Sequence, residues 1–170
     1  MSLEELRKRI DELDFQLVKL LNERARVVVE IGKLKNKTDR PVYAPDREKD
    51  VFARIIKANE GPLPDKCLTA IWRELMSGSF VLERPLRIGY LGPAGSFSHN
   101  AAMLKFGQSV EYEPLTDIAS IFDEVSKGHC DLGLAPVENT MGGGVIEPAT
   151  ASAVAKSGTW SPLRSLATRQ

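Results

Sequence analysis

Leu3-Glu4-Glu5-Leu6-Arg7-Lys8-Arg9-Ile10-Asp11-Glu12-Leu13-Asp14-Phe15-Gln16-Leu17-Val18-Lys19-Leu20-Leu21-Asn22-Glu23-Arg24 decides how this chain folds. Apolar residues recur at Leu3, Leu6, Ile10, Leu13, Leu17 and Leu20, in steps of three or four. The series then meets Arg24 and resumes at Val27, Ile31 and Leu34. Such spacing draws one apolar seam along one helix. A guanidinium stays charged at ordinary pH and is costly to bury alone. Arg24 therefore needs an acidic side chain or an anionic ligand.

The helix opens on Ser2-Leu3-Glu4-Glu5, a capping box, and should run to about Lys37, because Thr38-Asp39-Arg40-Pro41 is a break. At about 1.5 Å per residue it is roughly 50 Å long. A helix of that length cannot bury its own seam; it needs other helices or a second copy of itself. Pro45-Asp46 opens a second helix with Val51, Phe52, Ile55 and Ile56 as its apolar face, stopped by Asn59-Glu60-Gly61. Pro64-Asp65 opens a third, whose stripe is Leu68, Ile71, Trp72, Leu75, Met76, Ser79 and Leu82, ended by Pro85.

The pattern then changes. Leu86 to Leu91 reads as a strand and Gly92-Pro93-Ala94-Gly95-Ser96-Phe97-Ser98 as a glycine-rich turn before a helix through Ala101, Ala102 and Leu104. Val110 to Leu115 alternates like a strand, and Thr116 is the expected cap of a helix carrying Ile118, Ile121, Phe122 and Val125. Cys130 to Val137 is a further apolar strand. This order begins an α/β domain with a largely parallel sheet. After Glu147 the chain is rich in Ala, Ser and Thr, without an apolar period or an acidic residue. The expected division is 1–84 helical, 86–147 an incomplete α/β domain, and 148–170 an atypical tail of frameshifted or disordered character.

Of the 170 residues, 23 are basic and 23 acidic, so the formal charge is zero. That argues against a general nucleic-acid or membrane-surface partner. No run is apolar enough to span a bilayer, and the N-terminus is not a signal peptide. Cys67 and Cys130 fit no metal or redox spacing and read as reduced thiols of a cytoplasmic protein.

Cations cluster on the helices. Arg24 and Lys35 are eleven residues apart, which returns to within roughly 20° of one face. Arg7 is too distant to share a small ligand with Arg24 in one chain. It can share one if a second copy packs antiparallel about a centre between residues 16 and 21. Arg47 and Glu48 fall in the first turn of the second helix, while Ser79 and Glu83 lie one turn apart on the third. Taken singly, exposed Arg and Glu are usually only solvated. A polar break can also merely set helix register. Their combination favours a ligand.

Residues 1 to about 84 resemble the all-helical chorismate mutases. The resemblance rests on Leu6-Arg7-Lys8-Arg9-Ile10-Asp11-Glu12-Leu13-Asp14, Leu21-Asn22-Glu23-Arg24, Glu30-Ile31-Gly32-Lys33-Leu34-Lys35 and Asp46-Arg47-Glu48. Gly92 to Ser98 and Pro136-Val137-Glu138-Asn139-Thr140 resemble the beginning of prephenate dehydratase. The order is that of the bifunctional chorismate mutase/prephenate dehydratases of phenylalanine and tyrosine biosynthesis.

The resemblance implies an intertwined homodimer that turns chorismate into prephenate without metal or other cofactor. Arg24, with Arg7 of the second copy, would hold the two carboxylates. Lys35 would face the ether oxygen, Arg47 would assist, Glu48 would bind the ring hydroxyl and Ser79 would line the pocket. Glu83 would be the second donor to the ether oxygen, and it donates only when protonated. A loop position often acidic in the family is Ala44 here. Ser96, Glu138 and Asn139 would belong to a dehydratase-like site. The dehydratases' Thr-Arg-Phe segment does not occur in this sequence, so dehydration is expected to be absent. Two other readings stay open: a piece of a full bifunctional enzyme, and a helical dimerisation module without catalysis.

Overall fold

Helix α1 (Leu3–Lys37) forms as its seam requires, and its first turn is closed by the capping box: the Glu5 amide donates to Ser2 Oγ at 3.2 Å, and the Ser2 amide to Glu5 Oε2 at 2.6 Å. The structure, a computed structural model, describes residues 2–38, 40–137, 150–155 and 160–162. Helix α2 (Pro45–Lys57) starts with proline in its first turn, and helix α3 (Asp65–Glu83) follows after a short loop. The three helices pack through α1 against α3 and α2 against α3.

The second unit begins at strand β1 (Arg87–Leu91) and continues through α4 (Phe97–Phe106), β2 (Glu111–Leu115), α5 (Ile118–Lys127) and β3 (Leu132–Val137). Strand β1 is central, with β2 parallel on one side and β3 parallel on the other, as the alternation of strands and helices requires. Ile88 pairs with Tyr112 on one side and Leu132 on the other. Helix α5 is capped by Asp117 rather than by Thr116. The Asp117 carboxylate accepts from the Ser120 amide at 2.7 Å and its hydroxyl at 3.0 Å, while Thr116 only donates to that carboxylate.

Within the stretch expected to be an irregular tail, β4 (Thr150–Ala155) pairs antiparallel with β3, and β5 (Trp160–Pro162) pairs antiparallel with β4. The sheet order is β2-β1-β3-β4-β5. Small and β-branched residues such as Thr150, Ala151 and Val154 suit a ladder whose pairing is set by a partner strand rather than by their own periodicity.

One apolar core runs through both units. Val42 from the loop before α2, with Met76 and Phe80 of α3, meets Leu86, Ile88, Ala102, Phe106, Val110, Leu132 and Leu134 of the sheet and α4. The seam of α1 lies outside that core. In the single chain Leu3 is 64% exposed, Ile10 57%, Leu17 55%, Leu20 61% and Leu34 64%. No helix among the described residues is long and apolar enough to cross a membrane.

Candidate active site

The polar break in the seam is where α1 meets α3. Arg24 Nη1 donates to Ser79 Oγ at 2.7 Å, and that hydroxyl donates in turn to the Leu75 carbonyl at 2.6 Å. The hydroxyl hydrogen is thereby committed to the helix backbone, leaving a lone pair for the guanidinium. No carboxylate among the described residues lies within ion-pair distance of Arg24. Burial, and then the like charge of Arg47, push the Arg24 guanidinium below its usual value. The acidic partner that the sequence left open is therefore not supplied by the described side chains. Arg24 and Arg47 share a field that lacks an anion.

One step along, Lys35 Nζ donates to Glu83 Oε2 at 2.8 Å and to the Val42 carbonyl at 3.1 Å. These side chains are 23% and 10% exposed. The ammonium is held between helix α3 and the loop that leads into α2. Gly32 makes this approach possible. A Cβ there would stand 2.8 Å from the Glu83 Cα and 3.2 Å from its carbonyl oxygen. The signal was in the sequence: a glycine inside a helix costs about 1 kcal/mol relative to alanine, which marks a packing reason.

Ser79, Glu83, Arg24 and Lys35 thus come together, with Arg47 close enough to act on Arg24 through its charge. Glu48 is placed otherwise. Its side chain is 4% exposed, and Oε1 lies 2.6 Å from Arg73 Nη1 and 3.0 Å from Lys105 Nζ. The neighbouring Tyr43 phenol is raised far above its usual value, first by burial and then by the Glu48 carboxylate to which it donates. Arg7 is exposed on α1, away from this cluster. Sequence reasoning did not reach Gly32, Val42, Tyr43, Arg73 or Lys105. The last four act through backbone oxygen or contacts remote in sequence, which leave no local pattern.

In the second unit Ser96 is the N-cap of α4. Its Oγ accepts from the His99 amide at 3.2 Å and donates to the Leu91 carbonyl at 2.9 Å. His99 Nδ1 accepts from the Gly95 amide at 2.9 Å, and its ring stacks on Tyr90 at 4.6 Å. The glycine-rich turn is thereby folded back on its own helix. Glu138 and Asn139 lie outside the described residues.

Residues 6–84 match the family model of chorismate mutase type II, and residues 88–153 that of prephenate dehydratase. A bifunctional chorismate mutase/prephenate dehydratase of Aquifex aeolicus is 41% identical over 146 residues, covering 84% of this chain and 40% of the relative. One from Escherichia coli is 34% identical over 158 residues, covering 82% and 41%. The chain spans about 40% of the length of these curated relatives. Among solved structures, a chorismate mutase (form II) from Thermus thermophilus is 36% identical at a TM-score of 0.47, covering 48% of this chain and 92% of that one.

Proposed function

The chain belongs to the bifunctional chorismate mutase/prephenate dehydratases, carrying the mutase domain and part of the dehydratase domain, and from that premise we propose that it rearranges chorismate to prephenate. The observation that carries this reading is the unmet charge at Arg24, a guanidinium paired with a neutral hydroxyl beside a second guanidinium. A ligand with two carboxylates answers it.

The chemistry asks little else of the protein. One C–O bond breaks while a C–C bond forms, in one molecule, without nucleophile or cofactor. Rate comes from holding the enolpyruvyl arm over the ring and stabilising charge that grows on the ether oxygen. Arg24 and Arg47 take a carboxylate, and Lys35 faces the ether oxygen. For that, Lys35 must share its ammonium between substrate and Glu83. Glu83 becomes the second donor when it carries a proton. Ser79 lines the pocket, and Glu48 is assigned the ring hydroxyl, reached if its carboxylate turns from Arg73 and Lys105.

The second carboxylate is assigned to Arg7 of a second copy, packed antiparallel along the seam. Magnitudes support the homodimer. Nine aliphatics about half exposed represent on the order of 10 kcal/mol of burial per chain once covered. Association costs about 4–15 kcal/mol once per dimer. The free thiols Cys67 and Cys130 fit a reducing cytoplasm, the proposed compartment.

Chorismate loss and prephenate appearance with the purified chain test the reading, with Arg24→Ala as control. Turnover that Arg24→Ala abolishes is expected. No turnover from a folded, dimeric wild type would leave a dimerisation module instead.

A further inference from the structure

The buried charge cluster around Glu48 joins the two units of the chain, and three of its four members come from the helical unit. Glu48 opens α2, Arg73 lies on α3, Tyr43 belongs to the loop before α2, and Lys105 sits in the last turn of α4. Lys105 Nζ is 3.0 Å from Glu48 Oε1 and lies over the Tyr43 ring at 5.7 Å. Arg73 reaches the same oxygen while its guanidinium covers the Phe52 ring at 4.6 Å. The Tyr43 ring is wedged edge-on between Phe80, at 6.0 Å, and Phe106 of α4, at 5.2 Å.

Arg73 alone would balance Glu48. A second cation in a nearly dry site adds desolvation cost, and apolar packing often does as well for stability. What a fully engaged buried cluster adds is a fixed position for its members. The member that matters is the turn from Val42 to Glu48. Its Glu48 amide bonds the Ala44 carbonyl at 3.0 Å, and its Val42 carbonyl accepts from Lys35 at 3.1 Å. A continuous path of contacts therefore leads from α4, through Glu48 and Tyr43, to the ammonium of Lys35.

We propose that Lys105 is a positioning residue for the mutase site, holding the 42–48 turn so that the Val42 carbonyl fixes Lys35. The assignment rests on the mutase reading above. It makes the second unit a working part of the first: α4 braces the loop that aims the cation at the reacting oxygen.

The test uses the full chain and three variants: Lys105→Met, Lys105→Arg as the conservative rescue, and Ser109→Ala. Ser109 donates to Glu74 of α3, so its loss cuts a contact between the units that does not touch the turn. Two readouts are taken well below the melting temperature. In Lys105→Met, kcat should fall roughly 3- to 10-fold with KM within about twofold, because Lys35 acts on charge that develops in the transition state. Amide exchange should quicken at residues 42–48 and stay unchanged at 51–57. Lys105→Arg should restore both, and Ser109→Ala should alter neither. Unchanged exchange in Lys105→Met, or unchanged kcat in a wild type that turns over, would overturn the positioning role alone. A wild type without turnover would overturn the assigned reaction and the role with it.

Discussion

Gly32 lies directly against Glu83: a single added carbon on Gly32 would stand 2.8 Å from the Glu83 Cα. That approach brings Lys35, one turn further along α1, within 2.8 Å of the Glu83 carboxylate. Gly32→Ala should therefore destabilise the chain and slow it. Alanine gains about 1 kcal/mol of helix propensity. Overpacking against backbone costs about 1–3 kcal/mol and cannot be relieved by a rotamer change. Urea unfolding should show a net loss, and kcat should drop with it. An alanine variant of equal stability and turnover would contradict the packing account.

Arg47 should separate binding from stability. Its charge opposes that of Arg24 in the unliganded chain. Arg47→Ala should leave the melting temperature equal or higher while KM rises about tenfold, the loss of one charge-assisted contact. A lower melting temperature with KM unchanged would show Arg47 to be structural.

Glu83 sets the pH response. As second donor to the ether oxygen it must carry a proton. Turnover should fall as pH rises through the titration of this carboxyl, and Glu83→Gln, which keeps a donor at every pH, should flatten the profile. A wild-type rate constant from mildly acidic to alkaline pH would remove Glu83 from that role.

Composite sites predict complementation. Arg7→Ala and Arg24→Ala should each be nearly inactive alone. Mixed after unfolding and refolding together, they should recover roughly a quarter of wild-type activity, because half the dimers are mixed and each mixed dimer keeps one intact site. No recovery would place Arg7 outside the site.

Asp117 supplies an acid-labile cap. The Ser120 amide, followed by the hydroxyls of Ser120 and Thr116, holds its carboxyl below the usual aspartate range. A depressed folded value means that the cap stabilises α5 fully above the ordinary aspartate range. The contribution is lost as pH falls through the lower, folded value. Protection of the Ser120 amide should decline on acidification in the wild type and stay level in Asp117→Asn.

How much could be read in advance follows from how far each signal reaches along the chain. Helix α1, its capping box and the break after Lys37 were legible because periodicity and end signals are local. So were α2, α3 and the parallel β2-β1-β3 arrangement. The cap of α5 was misplaced by one residue, since Thr116 and Asp117 are both good caps and only the backbone turn chooses between them. Strands β4 and β5 were missed because their residues carry no period of their own and are ordered by pairing with β3.

The sequence by itself determined that a long helix carries a charge in its seam and cannot be left uncovered. The seam spacing and the cost of an unpaired guanidinium suffice for that. Tertiary structure alone decided what meets the charge. Arg24 finds Ser79 across 55 residues, Lys35 finds Glu83 across 48, and Glu48 finds Lys105 across 57. Such pairings depend on the packing of whole helices, down to the space that one glycine leaves between α1 and α3.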